Sequence, residues 1–195
     1  MDTKKLISAQ EALKKQKLDG IIISNFTDIN YLIGEMFMEN EACLLLHKKG
    51  LVICARSLYE EPAKKAYPQA QVIAEDLDRA SALIKVAKNL KLKTIAFDKE
   101  KEFYAQGYLY KQAGFKEVSN FIDALRVSKT EQELKIMKQS AQIAYSAFLY
   151  IQNELKPGVT EREIALKLEI FMKDKGASSM SFTPLVCFGK NGANP

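Results

Sequence analysis

The sequence predicts an α/β protein built in two parts. Over residues 1–118, short apolar runs typical of buried strands alternate with amphipathic segments of helical period. This alternation is typical of a sheet covered by helices. After residue 120 the pattern changes to long helices with little strand signal. We therefore predict a first domain over residues 1–125, with a mixed sheet flanked by helices, and the beginning of a second domain over residues 126–195.

Local patterns assign each element of the first domain. Apolar residues recur at three- and four-residue steps in the predicted helices and run together in the predicted strands. The polar stretch 25–30 predicts a turn, and Glu35–Asn40 predicts a loop. In chain order the predicted elements are helix 3–17, strand 21–24, strands 42–46 and 51–55, a short helix opened by a capping box at 57–60, strand 71–74, helix 77–90, strand 94–97, helix 101–113 and strand 116–118.

The two central strands form a predicted hairpin. The apolar runs Ala42–Leu46 and Leu51–Ala55 flank a four-residue loop that starts at His47. This register places Cys43 opposite Cys54, close enough for a disulfide. Because the chain has the features of a cytosolic protein, we expect two reduced thiols instead. We expect His47 to lie exposed in the turn and to have no catalytic role.

The second part opens with two helices that carry strong start signals. In a capping box, the side chain of a Ser or Thr accepts a hydrogen bond from the backbone N–H of a Glu three residues later, and the Glu side chain accepts one from the backbone N–H of the Ser or Thr. Such boxes occur at Thr130–Glu133 and Thr160–Glu163. They predict a long helix over residues 131–155 and a second helix that ends at Gly176. Residues 181–188 predict a strand interrupted by a proline.

Composition excludes several classes of protein. The net charge is +5, from 29 basic and 24 acidic residues, but only four of the basic residues are arginine. Nucleic-acid readers favour arginine, so the scattered lysines predict a solvated surface and no nucleic-acid partner. No apolar run approaches the ~18–20 residues of a membrane span, and the N-terminus lacks the apolar core of a signal peptide. We expect a cytoplasmic protein without a membrane partner.

The residues do not form a complete active-site motif. The sequence contains neither a glycine-rich phosphate loop nor a GxSxG or HExxH motif. Its one histidine and three scattered cysteines lack the spacing of a zinc site. The acidic residues of the second part fall at helix starts and on polar faces, where we expect caps and solvated charges. Residue by residue, no catalytic or metal-ligating side chain is predicted.

A family resemblance is carried by the order and spacing of five segments. These are Asn30–Gly34, Arg126–Leu134, Lys156–Glu161, Gly176–Phe182 and Gly189–Pro195. The series resembles the Xaa-Pro peptidase branch of the creatinase, prolidase and methionine-aminopeptidase superfamily over essentially the whole chain. The resemblance implies a creatinase-type N-terminal domain followed by an incomplete pita-bread catalytic domain.

The resemblance also implies a chemistry. Family members hydrolyse Xaa-Pro bonds with two divalent ions, often manganese or cobalt, held by two Asp, one His and two Glu. The metal pair activates a water molecule and stabilises the attacking and leaving atoms. All five ligands lie beyond the position that matches Pro195, so no catalytic or metal residue is carried over to this chain. The substrate would be a peptide with proline at its second position, with aminopeptidase and dipeptidase specificity both open.

Three interpretations of the polypeptide follow. The chain is the N-terminal part of a Xaa-Pro peptidase and is inactive alone, or it is a shortened non-catalytic relative that acts as a dimerisation or binding module. The third is an unrelated α/β protein that binds a small molecule. We favour the first, because strand 181–188 and the apolar face of helix 131–155 otherwise lack most of their packing partners.

The resemblance implies a homodimer, with contacts made by the N-terminal domain, which also helps to shape the active-site entrance. The predicted loop after residue 34 holds an apolar cluster between polar residues, and such a cluster often marks an interface. The alternative is a loop folded back on its own core. The interface and entrance candidates are Glu35, Met36, Phe37, Met38 and Glu39. Phe182 and Asn194 are the candidate walls of a pocket.

Overall fold

The computed structural model describes residues 3–193. The chain divides into two compact units, Met1–Ser128 and Lys129–Pro195, called unit 1 and unit 2 below. Unit 1 contains α1 (Thr3–Lys15), β1 (Gly20–Ile23), α2 (Phe26–Ile33), β2 (Ala42–His47), β3 (Gly50–Ala55), α3 (Glu60–Ala66), β4 (Gln71–Ala74), α4 (Arg79–Asn89), β5 (Ile95–Asp98), α5 (Tyr104–Gln112), β6 (Lys116–Val118) and α6 (Phe121–Arg126).

The strands of unit 1 form one mixed sheet of six strands in the order β4-β3-β2-β1-β5-β6. Strand β2 runs antiparallel to both of its neighbours, and the other pairs are parallel. The carboxyl ends of β1, β3, β4, β5 and β6 therefore lie at one edge of the sheet, together with the amino end of β2. This confirms the predicted mixed sheet flanked by helices.

Each face of the sheet buries its own core. Side chains of a strand alternate between the two faces, so Ile21 and Ile23 join one cluster while Ile22 joins the other. The first cluster also contains Leu6 and Leu13 of α1. The second contains Leu83, Ala87, Phe97 and Tyr110, contributed by α4, β5 and α5. The helices are thus held on both faces by apolar burial.

The hairpin has the predicted register. Cys43 pairs with Cys54, and the ladder extends one pair further, to His47 opposite Gly50. The loop is therefore shorter than predicted, because only residues 48 and 49 lie outside the ladder. The prediction that His47 is exposed is wrong, since its side chain is half-buried at the end of β2. Burial, with a smaller effect of Lys49, lowers the pKa of His47.

We expect the three cysteines to react in two classes. All are free thiols, with Cys187 exposed, Cys54 buried and Cys43 half-buried. Burial raises the pKa of Cys43 to about 11 and that of Cys54 to about 12. Because the thiolate is the nucleophile, these two should react at least about a hundredfold more slowly than an ordinary exposed thiol.

Thiol titration of the native protein should therefore show one fast group, and the fast phase should disappear in Cys187→Ser. The two slow groups should react only after denaturation. Three thiols reacting at one rate in the native protein would contradict the burial of the hairpin pair. Recovery of one thiol from the unfolded, unreduced protein would show that Cys43 and Cys54 are joined.

The predicted turn over residues 25–30 is wrong. A helix, α2, begins at Phe26, and the Asn25 side chain caps it by accepting from the backbone N–H groups of Thr27 and Asp28 at 3.1 and 3.3 Å. Asn is a preferred N-cap residue, because its side-chain oxygen pairs with otherwise unsatisfied N–H groups at the helix start. The polar residues that suggested a turn are the capped first turn of this helix.

Two other helix starts differ from their prediction. Ser57 does not form a capping box with Glu60; its hydroxyl donates to Asp76, which follows the neighbouring strand β4. Leu77, expected on an apolar helix face, is 95% exposed. The reason is that α4 begins two residues later, after the N-cap Asp78.

Unit 2 contains α7 (Glu131–Glu154) and α8 (Glu161–Asp174). Both predicted capping boxes are present, each with reciprocal hydrogen bonds. The chain leaves α8 at Gly176, whose φ of 97° suits glycine. The predicted strand 181–188 is not formed, because the described residues offer this segment no partner strand. No helix within residues 3–193 has the length and apolar character of a membrane span.

Candidate functional site

The predicted interface loop connects α2 to β2, and its apolar side chains do not stay together. Phe37 is buried, with its ring edge-on to Tyr59 at a centroid distance of 5.2 Å. Met36 packs half-buried against the same core, whereas Met38 is 70% exposed. Glu35 and Glu39 are exposed. The loop is thus anchored on its own core through Phe37, and its interface role stays a prediction.

A charge cluster around the buried Asp28 ties α2 to the later part of unit 1. Asp28 is buried, with Arg126 at 3.5 Å and Lys101 at 4.0 Å. Asp123 pairs with the same two cations, at 2.7 Å from Lys101 and 3.3 Å from Arg126. Desolvation raises the pKa of Asp28, against the opposing attraction of Lys101. The cluster joins three segments of unit 1 and has its charges matched internally.

Asp98, at the end of β5, is also buried and serves the backbone. Its carboxylate oxygens accept from the N–H of Phe121 at 2.9 Å and from that of Glu100 at 3.1 Å. These bonds hold the start of α6 and the turn after β5. Asp98 is therefore a structural acceptor that shapes the carboxyl edge of the sheet.

A cavity of about 240 Å³ opens at this edge, and we call it the carboxyl-edge cavity. Its lining comes from the segment after β1 with the start of α2, the start of β2, the first residue of α4, and the segment after β5 with α5. The end of the predicted interface loop, Glu39 and Asn40, lines it as well. The polar lining includes Ser24, Arg79, Glu102 and Gln106. Crevices outside the carboxyl ends of strands are the usual ligand sites of α/β sheets.

Glu102 is the most perturbed acid of this cavity. The Ser24 hydroxyl donates to Oε1, while Oε2 is buried and has no partner among the described residues. Desolvation raises the pKa of Glu102 to about 7; the bond from Ser24 opposes this shift, and the charge of Asp98 adds to it. No sequence motif predicts a role for Glu102. The available signal was that Ser24 and Glu102 are polar residues that follow predicted strands within a few positions. That they meet could be known only from the pairing of β1 with β5.

Unit 2 presents an apolar groove of about 610 Å³. Its walls are α7, α8 and the segment Met180–Phe188. Phe148 of α7 and the predicted pocket residue Phe182 both line it, with exposures of 58% and 75%. The second predicted pocket residue, Asn194, lies outside the described residues.

Unit 2 buries little of its own apolar surface. Among the described residues of unit 2, only Ala147 and Ile164 are buried. The two helices are held together by a Tyr150–Phe171 ring stack at 4.4 Å and by an ion pair between Glu154 and Lys167. The large exposed apolar residues are Leu134, Ile136, Met137, Tyr145, Phe148, Leu149, Leu155, Leu166, Ile170, Phe182, Leu185 and Phe188.

Two acidic side chains of unit 2 act as helix caps, as predicted, while Glu154 and Glu169 form ion pairs that were not predicted. Glu133 and Glu163 close the two capping boxes. Glu161 accepts from the Phe188 N–H at 2.6 Å and from the Asn191 side chain, and these bonds lower its pKa. Within residues 3–193, no three His, Cys, Asp or Glu side chains are grouped so that they could hold a metal ion.

The fold and the segment order agree with two protein families. Residues 5–128 match the creatinase/prolidase N-terminal domain, and residues 135–195 match metallopeptidase family M24. These two matches define a creatinase/prolidase N-terminal domain followed by a segment of metallopeptidase family M24. The chain belongs to the creatinase/prolidase family of Xaa-Pro peptidases.

Individual relatives agree with this assignment. A Xaa-Pro dipeptidase of Lactobacillus delbrueckii subsp. lactis is 29% identical, over 95% of this chain and 54% of that protein. One of Pyrococcus horikoshii is 26% identical, over 95% of this chain and 52% of that protein. The solved Xaa-Pro dipeptidase from Bacillus anthracis has a TM-score of 0.80 at 29% identity, over 92% of this chain and 51% of that one. The chain spans about half the length of the curated relatives it matches.

The described residues could not hold the pair of metal ions that this family implies. Glu133, Glu161 and Glu163 are held in backbone and side-chain hydrogen bonds at helix starts. Glu169 pairs with Lys173 at 2.7 Å on the surface of α8. These carboxylates do not converge, and no step of the chemistry is assigned to them.

Proposed function

We propose that this chain is the N-terminal half of a metal-dependent Xaa-Pro peptidase. Support comes from the two family matches, at residues 5–128 and 135–195, and from relatives named as Xaa-Pro dipeptidases, of which the chain covers 52% and 54%. In this proposal the substrate is a peptide with proline at its second position. The domain boundary lies near residue 125, and the catalytic domain begins after it.

The observation that carries the proposal is the uncovered apolar groove of unit 2. Five of the large exposed apolar side chains of unit 2 line the groove: Phe148, Leu155, Phe182, Leu185 and Phe188. Burying a large apolar side chain contributes about 1.5–3 kcal/mol, so the groove is a strong packing surface. A two-helix unit with two buried residues in its described part cannot build a core alone. The remaining part of an M24 catalytic domain is the occupant that fits the family match at residues 135–195.

The metal chemistry belongs to that remaining part. Bound manganese or cobalt would lower the pKa of a water molecule and stabilise both the attacking and the leaving atoms. The chain itself contributes the walls of unit 2, including Phe182, and unit 1 with its loop. We propose that the loop contributes to the active-site entrance and to a homodimer through its exposed members, Glu35, Met38 and Glu39. The cytoplasmic location stays a prediction.

The second candidate is a non-catalytic module whose groove holds a separate partner chain. The exposed apolar side chains that line the groove support this alternative, because they could pack against a separate chain. In that case the groove would be covered by a different polypeptide. Metal analysis and a proline-release assay on the complete product of the reading frame distinguish the two candidates.

We expect the 195-residue chain alone to bind no stoichiometric manganese or cobalt and to leave Xaa-Pro dipeptides intact. The complete product of its reading frame should bind metal and release the residue before proline. Metal analysis after dialysis and a proline-release assay measure both, with a Xaa-Ala dipeptide as the control substrate. Turnover by the short chain, or a complete product without metal and turnover, would contradict the proposal.

A further inference from the structure

The carboxyl-edge cavity contains more unmatched polar atoms than a structural role requires. Glu102 Oε2, Gln106 Oε1 and Arg79 Nε are all buried, and none has a hydrogen-bond partner among the described residues. All three residues line the cavity. Buried polar atoms in native proteins are nearly always paired, so a group of three at one cavity calls for a ligand that pairs them.

The neighbouring cations do not supply these partners. Lys101 also lines the cavity, but its ammonium pairs with Asp123 at 2.7 Å. The terminal nitrogens of Arg79 donate to the backbone carbonyls of Asn40, Glu75 and Asp76. The guanidinium is therefore held in place by neutral carbonyl groups. Arg79 also interacts with the Cys43 thiol, which is only a weak acceptor, so a carboxylate from outside the chain would be a stronger partner for its Nε.

The unmatched atoms define the charge pattern of the ligand. Two oxygens, on Glu102 and Gln106, lack a donor, and one nitrogen, on Arg79, lacks an acceptor. A simple cation would satisfy only the oxygens, and a simple anion only the nitrogen. A small zwitterion with an ammonium and a carboxylate satisfies both sides through charge-assisted hydrogen bonds.

The volume and the apolar lining of the cavity restrict the class of ligand further. Phe26 and Phe103 line the cavity and are partly exposed, so they can contact an apolar group. The volume of about 240 Å³ lies below the ~300–1,000 Å³ of drug-sized sites. We propose that the carboxyl-edge cavity binds a free α-amino acid, whose ammonium donates to Glu102 and Gln106 and whose carboxylate accepts from Arg79.

This binding site goes beyond the proposed peptidase function. It lies in unit 1, and its test needs neither metal nor peptide hydrolysis. A negative result would leave the peptidase proposal intact, and failure of the peptidase proposal would leave this site testable.

The test is calorimetric titration of the 195-residue chain with leucine and two matched analogues. Isopentylamine keeps the side chain and the amine but lacks the carboxylate, and 4-methylpentanoate lacks the amine. For a ligand of this size we expect a leucine Kd on the order of 0.1 mM. Each analogue should bind at least about tenfold more weakly, because it leaves one side of the cavity unmatched.

Two variants and one control variant test whether leucine binds through Glu102 and Gln106. Glu102→Gln and Gln106→Leu should each weaken leucine binding at least about tenfold, by removing one acceptor of the ammonium. Glu100→Gln makes the same chemical change at an exposed position two residues away and should bind leucine like the unchanged chain. Circular dichroism and thermal unfolding establish that each variant is folded before titration.

Several results would overturn the proposal. The first is absence of leucine binding to the folded, unchanged chain. Equal binding of either analogue would show that the site does not recognise a zwitterion. Unchanged binding in folded Glu102→Gln and Gln106→Leu would place leucine elsewhere on the protein.

Discussion

Replacing Phe148 by aspartate is expected to change the stability of this chain little and to lower the stability of the complete product of its reading frame strongly. In the 195-residue chain Phe148 is 58% exposed, so the change should alter the free energy of unfolding by less than about 0.5 kcal/mol. In the complete product the same change places an unpaired carboxylate in a buried core and should cost about 3–5 kcal/mol.

Denaturant unfolding and proline-release activity measure this difference. Gln139→Asp introduces the same charge at an exposed position of α7 and should leave both forms folded and the complete enzyme active. If Phe148→Asp left the complete product as stable as the unchanged protein, the groove would not be covered by the rest of the catalytic domain. Loss of stability in the short chain would show that Phe148 already packs within unit 2.

Replacing Glu102 by glutamine should stabilise the protein at alkaline pH. Burial raises the pKa of Glu102 from its usual 4.5 to about 7. Between these values the folded state keeps a proton that the unfolded state has released. Stability is therefore lost as the pH rises from 4.5 through 7, by about 3 kcal/mol once both states are ionised. Glutamine has no charge and does not incur this loss.

We expect Glu102→Gln to be about 1–3 kcal/mol more stable than the unchanged chain at pH 8 and close to it at pH 4.5. Urea unfolding followed by circular dichroism at the two pH values gives both differences. Glu100→Gln, at an exposed position, should show no such gain. An equal pH dependence in the Glu102→Gln variant and the unchanged chain would show that this carboxyl group is not desolvated in the folded protein.

The elements that the sequence predicted correctly depend on contacts between near neighbours. The capping boxes at Thr130–Glu133 and Thr160–Glu163 each join residues three positions apart, so the pattern itself contains both partners. The pairing of Cys43 with Cys54 follows from two apolar runs joined by a short loop. Such features can be predicted without knowledge of the rest of the fold.

The errors involve partners that are distant in sequence or missing. Ser57 was assigned to a capping box, but the parallel pairing of β3 with β4 brings Asp76 to its hydroxyl. The stretch 181–188 has the composition of a strand but forms none, because a strand needs a neighbour to satisfy its backbone groups. For Phe37 the sequence leaves two alternatives, an exposed cluster or a loop folded back on its core, and packing against Tyr59 buries the side chain.

The α/β class, most helices and strands, the hairpin register and the family resemblance can be predicted from the sequence, because they depend on local period and motif order. The carboxyl-edge cavity and the apolar groove become visible once the chain is folded. Ser24 and Glu102 are 78 residues apart and meet because β1 and β5 pair side by side. Strand adjacency and the burial that raises the pKa of Glu102 are properties of the assembled sheet, and no short stretch of sequence contains them.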